Sequence, residues 1–163
     1  MNRLNASPRI TSKDLARDRA FWANLLDLRI RLNLLAPHTG GGYANRRFAI
    51  IRNAAWITLY RAVSPYPQIG VFLRCTGLAG EAFFMIADTA RQRIQPHLQA
   101  VVGSGALLEW GATHHPGMTD IAAIVEAPFP WNAAAASLHI SWLLQVGSAF
   151  WVAFGSLTKD LED

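Results

Sequence analysis

His114 and His115 stand side by side in the loop GATHHPGM and are the first residues to weigh for chemistry. Paired imidazoles suggest zinc, but adjacent residues on one backbone point in different directions. No Cys, His, Asp or Glu stands at the usual short ligand spacing, and Asp120 is the nearest carboxylate. His38, His97 and His139 are dispersed along the chain. The expectation is a polar loop and no metal. His139, set among apolar residues, reads as a core histidine whose ring bonds a neighbour. Nucleophilic catalysis through His needs a poised Ser or Cys, and the chain has no G-x-S-x-G elbow. Cys75, the one cysteine, lies in an apolar alternating run and reads as a reduced core thiol. Restriction-type cleavage of DNA needs carboxylates that hold Mg²⁺ and a nearby ammonium. The two lysines, Lys13 and Lys159, do not follow an acidic residue at two positions' distance. The GGG run at 40–42 follows no strand and lacks the Lys-Ser/Thr of a phosphate loop. No catalytic residue and no cofactor is expected; an enzyme with an unrecognised pocket would gather His114, His115 and Asp120.

A second constellation is basic and aromatic. Arg46, Arg47, Arg52, Arg61 and Arg74 lie on or beside three strand-like runs, with Trp56, Tyr60 and Phe72 among them. Arginine over phosphate and aromatics beneath bases is how open sheets hold nucleic acid. The other arrangement turns the aromatics into the core and leaves the arginines as solubilising charge at strand ends. Charge is unevenly placed in the same sense: residues 1–61 carry eleven Arg and Lys against three Asp, and residues 62–163 four against eight Asp and Glu. Such a division attracts a polyanion or lets two copies pair basic half to acidic half.

These residues need elements to position them. Thr11 and Asp14 have capping-box spacing, with Asp for the usual Glu, and predict a helix over 12–35. Its apolar stripe is Phe21, Leu25, Leu28, Leu32 and Leu35, widened by Trp22 and Leu26. Strands follow at 46–52, 56–62 and 68–75, with Ile69, Val71, Leu73 and Cys75 on one face, as an antiparallel meander. A second helix is predicted over 79–102, buried along Phe83, Ala87, Ala90, Ile94, Leu98 and Val101, and kinked or split by Pro96 near Gln95. Short strands at 106–110 and 119–125 precede a last helix over 133–157. The order α-β-β-β-α-β-β-α predicts an α+β fold, a five-stranded, mostly antiparallel sheet packed with three helices. At 163 residues the chain reads as one domain over 1–163, with 1–11 as an N-terminal extension. Charged residues are 16% against a usual share of about 25%, which excludes a disordered chain and leaves few charges to solvate an isolated monomer. The first twenty residues carry charges throughout and no apolar h-region, so a cytoplasmic bacterial protein is expected.

Several segments occur in an order that carries a likeness: FWANLL, NRRFAIIRNAAWITLYR, IGVFLRCTGLAGEAFF, IQPHL with GALLEW, and PFPWNAAAASLHISWLLQVGSAFWVAF. The succession resembles an uncharacterised bacterial domain family found alone or C-terminal to restriction-endonuclease-like nuclease domains. The likeness spans residues 18–157 and is marked by Phe21-Trp22, Ile69-Gly70-Val71, Leu108-Glu109-Trp110, Trp131, His139, Trp142, Leu143 and Phe150. It implies an α+β fold and an accessory role near DNA-processing systems, and it transfers no active-site residue. The chain departs from that pattern in the last helix, where Ala, Ser, Leu and Phe stand in place of charges.

That helix lies in a stretch, Ala127 to Thr158, with no Asp, Glu, Lys or Arg. Length alone would let it span a bilayer, but His139, Gln145 and several serines interrupt it, so a membrane span is not the expectation. Leu143, Val146, Phe150, Ala153 and Leu157 make one stripe; Leu138, Trp142, Ala149 and Val152 make a second. A helix apolar on two faces buries both. The first stripe suits the domain's own sheet and the second an oligomer interface. The chain therefore reads as a non-enzymatic interaction or accessory module that forms a homo-oligomer, a dimer in the simplest case. The alternative partner is nucleic acid at Arg46, Arg47, Arg52, Trp56, Arg61 and Arg74.

Overall fold

The computed structural model describes residues 11–31, 34, 44–63, 66–113, 115–129 and 131–161. His38, His114, the GGG run and all of the N-terminal extension except Thr11 lie outside them. The first helix, α1 (Ser12–Arg31), begins where the capping box places it. The Thr11 N–H donates to Asp14 Oδ2 at 2.8 Å, and the Asp14 N–H donates to Thr11 Oγ1 at 3.3 Å. Two donors orphaned by the helix start are thus satisfied.

Next come β1 (Asn45–Ile51), β2 (Ala55–Ala62) and β3 (Gln68–Thr76), then α2 (Gly77–Thr89), α3 (Arg91–Val102), β4 (Leu107–Ala112), β5 (Met118–Glu126) and α4 (Ala133–Gly155), closed by a 3₁₀ turn, Ser156–Leu161. The predicted α+β architecture and element order hold, with one division more: four helices stand where three were expected. The long second helix breaks at Ala90, upstream of Pro96. In the last turn of α2 the Thr89 hydroxyl donates to the Met85 carbonyl at 2.9 Å. Inside α3, Val102 completes the buried row begun by Ile94 and Leu98, while Val101 is exposed.

The five strands form one antiparallel sheet in the order β1-β2-β3-β5-β4. Period-two alternation gives it two unlike faces. Phe48, Ile57, Leu59, Ile69, Val71, Leu73, Cys75, Ile121 and Ala123 join the helices in a single core with Trp22, Leu25, Phe83, Leu98, Leu143, Phe150 and Phe154. Cys75 sits in that core, and burial, with Asp120 adding to it, pushes its thiol up to about 12, so it is an unreactive thiol at neutral pH. The opposite face carries Trp56, Thr58, Tyr60, Phe72, Arg74 and Asp120.

The α4 helix starts at Asn132, whose side-chain oxygen accepts from the Ala135 N–H at 2.9 Å. It packs against α1, α3, β2 and β3. The stretch Ala133–Lys159 is long and apolar enough to cross a membrane, and 44% of its most apolar window is buried inside the fold.

Candidate functional site

The predicted two-stripe division of α4 has a direct structural counterpart. Leu143, Val146, Phe150 and Leu157 are fully buried. On the second stripe Leu138 is 73% exposed and Val152 70%, whereas Trp142 and Ala149 are half-buried. Trp142 leans toward α3 and donates its indole N–H to the Val102 carbonyl at 3.2 Å. Beside this stripe lies a groove of about 570 Å³ between α3 and α4. Ile94, Leu98, Val101, Ala149, Val152 and Ala153 line it, with Arg93, His97, Ser148 and Ser156 as its polar members. No described lining residue carries a carboxylate.

At the opposite end of α4 the sheet contributes a buried charge. Arg61 shares its strand face with Ile57 and Leu59, and its side chain enters the core side of the sheet at only 3% exposure. Its guanidinium carbon lies 3.8 Å from the ring centroid of Phe21 and 3.8 Å from that of Trp131. Nη1 donates to Asp18 Oδ1 at 3.1 Å, and Nε has no partner among the described residues. Burial brings the Arg61 pKa down to about 10, with Asp18 partly opposing it; the group is still charged at neutral pH. Burial likewise raises the Asp18 carboxyl above its usual value against the pull of Arg61. Both shifts have one meaning: desolvation outweighs the attraction within the pair, so the pair is weak support for the fold. Stacking of a desolvated guanidinium on two rings offsets part of that cost, at about 2 kcal/mol for a favourable contact.

His139 faces the same cluster, edge-on to Trp131 at 6.5 Å between ring centroids. It is buried as expected, but the expected hydrogen bond is absent among the described residues, since Nδ1 has no partner. Burial first, and Arg61 second, lower its pKa.

The six residues considered for nucleic acid do not share one surface. Arg46 and Arg61 belong to the helix-covered face, with Arg46 over the Trp22 ring at 5.3 Å. Arg47, Trp56 and Arg74 lie on the opposite face, where Arg47 stands 5.7 Å over Trp56. Arg52 is exposed in the β1–β2 turn. Arg74 is committed to a bidentate pair, its Nε at 2.8 Å from Asp120 Oδ1 and its Nη2 at 2.7 Å from Oδ2, and it stacks on Phe72 at 4.6 Å. Beside this pair Tyr60 covers Gly70 so closely that a Cβ there would collide with its ring. Burial, with Glu109 and Asp120 adding to it, pushes the Tyr60 phenol up to about 12.

The placements of Arg61 and Asp18 were legible in strand parity and helical spacing. In WITLYRA, Arg61 alternates with Ile57 and Leu59 rather than with Trp56 and Tyr60. Asp18 lies one helical turn before Phe21, which puts it on the buried stripe. Among the described residues no three His, Cys, Asp or Glu side chains gather where they could hold a metal ion. No protein-family model, curated protein or solved structure matches this chain.

Proposed function

We propose that this protein is a soluble interaction module that self-associates by docking the α3–α4 groove and the exposed α4 stripe against a second copy. The carrying observation is the coincidence of ridge and groove on one helix pair: Val152 protrudes beside an apolar channel that it also helps to line, and Leu138 stands exposed further along the same stripe. A patch that is both ridge and groove is self-complementary about a two-fold axis, the arrangement of an isologous dimer. The stripe from Leu138 to Val152 is about 21 Å long at 1.5 Å per residue. With α3 alongside, it offers a two-helix face for the contact. Apolar burial contributes about 25 cal/mol per Å², and no carboxylate among the described lining residues has to be desolvated. We further propose, from the order of sequence segments alone, an accessory role for such a module in the bacterial cytoplasm, beside a DNA-modification or defence system.

Light scattering at micromolar concentration tests this reading. We expect a dimer for the wild type and a folded monomer for Val152→Glu and Ala149→Glu, because an unpaired charge in an apolar contact costs several kcal/mol. Val146→Glu, on the inward stripe, should instead abolish the cooperative thermal transition. A wild type that is strictly monomeric, or an oligomer unchanged by Val152→Glu, defeats the proposal. Partition of the wild type into the membrane fraction defeats it as well.

A further inference from the structure

An open cleft of about 370 Å³ lies at the start of α4, lined by Arg17, Asn24, Phe21, Arg61, Trp131 and Asn132 together with small alanines of α1 and α4. Its size falls in the range of small-ligand sites, about 300–1,000 Å³. Its lining holds two arginines and neutral groups. Arg61 lines the buried side of the cleft, with Asp18 behind it at 3.1 Å from Nη1, and Arg17 lines the rim, where it lies 3.6 Å from Asp14. The N-terminal end of α4 adds the partial positive charge of its leading N–H groups. Asn132 spends its side-chain oxygen on Ala135, leaving the N–H groups of Ala133 and Ala134 outside the cap. No Asp or Glu is among the described lining residues; Asp18 touches Arg61 through Nη1 alone. The guanidinium Nε belongs to the edge that carboxylates and phosphates take in a bidentate pair, and it is buried without a partner among the described residues.

We infer that this cleft is a binding site for a small molecule bearing an oxyanion group, a carboxylate or a phosphate, held between Arg61, Arg17 and the N-terminus of α4. Phe21 and Trp131 hold the guanidinium plane from both sides, so little rotamer freedom is lost on binding. Asn24 and Asn132 supply neutral hydrogen-bonding groups at the mouth, and the alanines leave room for an apolar body behind the anion. The site is separate from the α3–α4 groove and does not depend on self-association.

The test is an NMR titration of the full chain, following the Trp131 indole N–H and the Ala133 and Ala134 amides, with inorganic phosphate in one arm and benzoate in the other. Saturable shifts at these three positions, in the millimolar range for probes this small, are expected in at least one arm, and the arm that responds identifies the oxyanion. Arg17→Ala, at an exposed position, should weaken binding by roughly threefold to tenfold, as for loss of one charge-assisted contact. Arg61→Lys, which keeps the charge but not the planar fork, should weaken it by about tenfold or more. If Arg61→Lys fails to fold, Arg17→Ala alone decides. Absence of localised shifts at tens of millimolar in both arms overturns the inference, and so does binding that Arg17→Ala leaves unchanged.

Discussion

At His139, burial and the nearby guanidinium of Arg61 act in the same direction, and both favour the neutral ring. The folded-state pKa therefore lies below the unfolded value of about 6.5. A group depressed in this way contributes its full stability above the unfolded pKa, and that contribution is lost as pH falls below it toward the folded value. Urea midpoints measured at pH 7.5 and 5.5 should show the wild type losing stability over that interval, and His139→Gln losing less. Equal losses in the two proteins would remove His139 as the source. The core position of this histidine was readable from its apolar neighbours, whereas its edge-on contact with Trp131 was not, because that contact joins the α4 helix to the loop before it. The same holds for Arg61. Parity along β2 puts it on the core side, but only the approach of α1 and the Trp131 loop shows that two rings enclose it.

Elements were the most legible level, for the reason that their signals are local. The Thr11–Asp14 box, strand alternation and the paired stripes of α4 are each determined within a few residues, and each recurs in the structure. Pro96, the strongest breaker in the stretch, predicts a break near Gln95, whereas the helix divides at Ala90 and Pro96 lies inside α3. A close approach that no local pattern announces occurs at Gly80, in the first turns of α2. A Cβ at Gly80 would lie 2.7 Å from the Ala54 carbonyl oxygen and 2.9 Å from the Cys75 carbonyl carbon, both backbone atoms. Alanine improves helix propensity by about 1 kcal/mol, but this collision can be relieved only by moving α2 off the sheet. We expect Gly80→Ala to destabilise the fold by about 1–3 kcal/mol in urea. Gly105→Ala, where a Cβ meets nothing within 4 Å, serves as the control and should be near neutral. A stabilised Gly80→Ala would show that α2 is less tightly seated than its backbone contacts imply.

For the molecule as a whole, sequence patterns specified the layers and the β1-β2-β3 meander but not that β5 would pair with β3, since the order β3-β5-β4 depends on a crossover that no residue pattern encodes. That crossover divides the sheet into two pieces, the β1–β2–β3 meander and the β4–β5 hairpin, each made from neighbouring segments. They meet along one ladder, from Gln68↔Glu126 to Thr76↔Met118, with both helices α2 and α3 in the intervening chain. Local pieces close quickly, while a pairing across a long loop must bear the closure entropy before any contact rewards it. Arg74 and Asp120 are direct partners in that ladder, so a slip of one residue would send their charges to opposite faces of the sheet. The ion pair thus acts in time as well as in space, recognising the correct docking of two half-sheets when they first meet. Asp120→Ala should slow refolding more than it speeds unfolding in a denaturant chevron. An effect confined to the unfolding arm would mean that the pair forms only after the halves have joined.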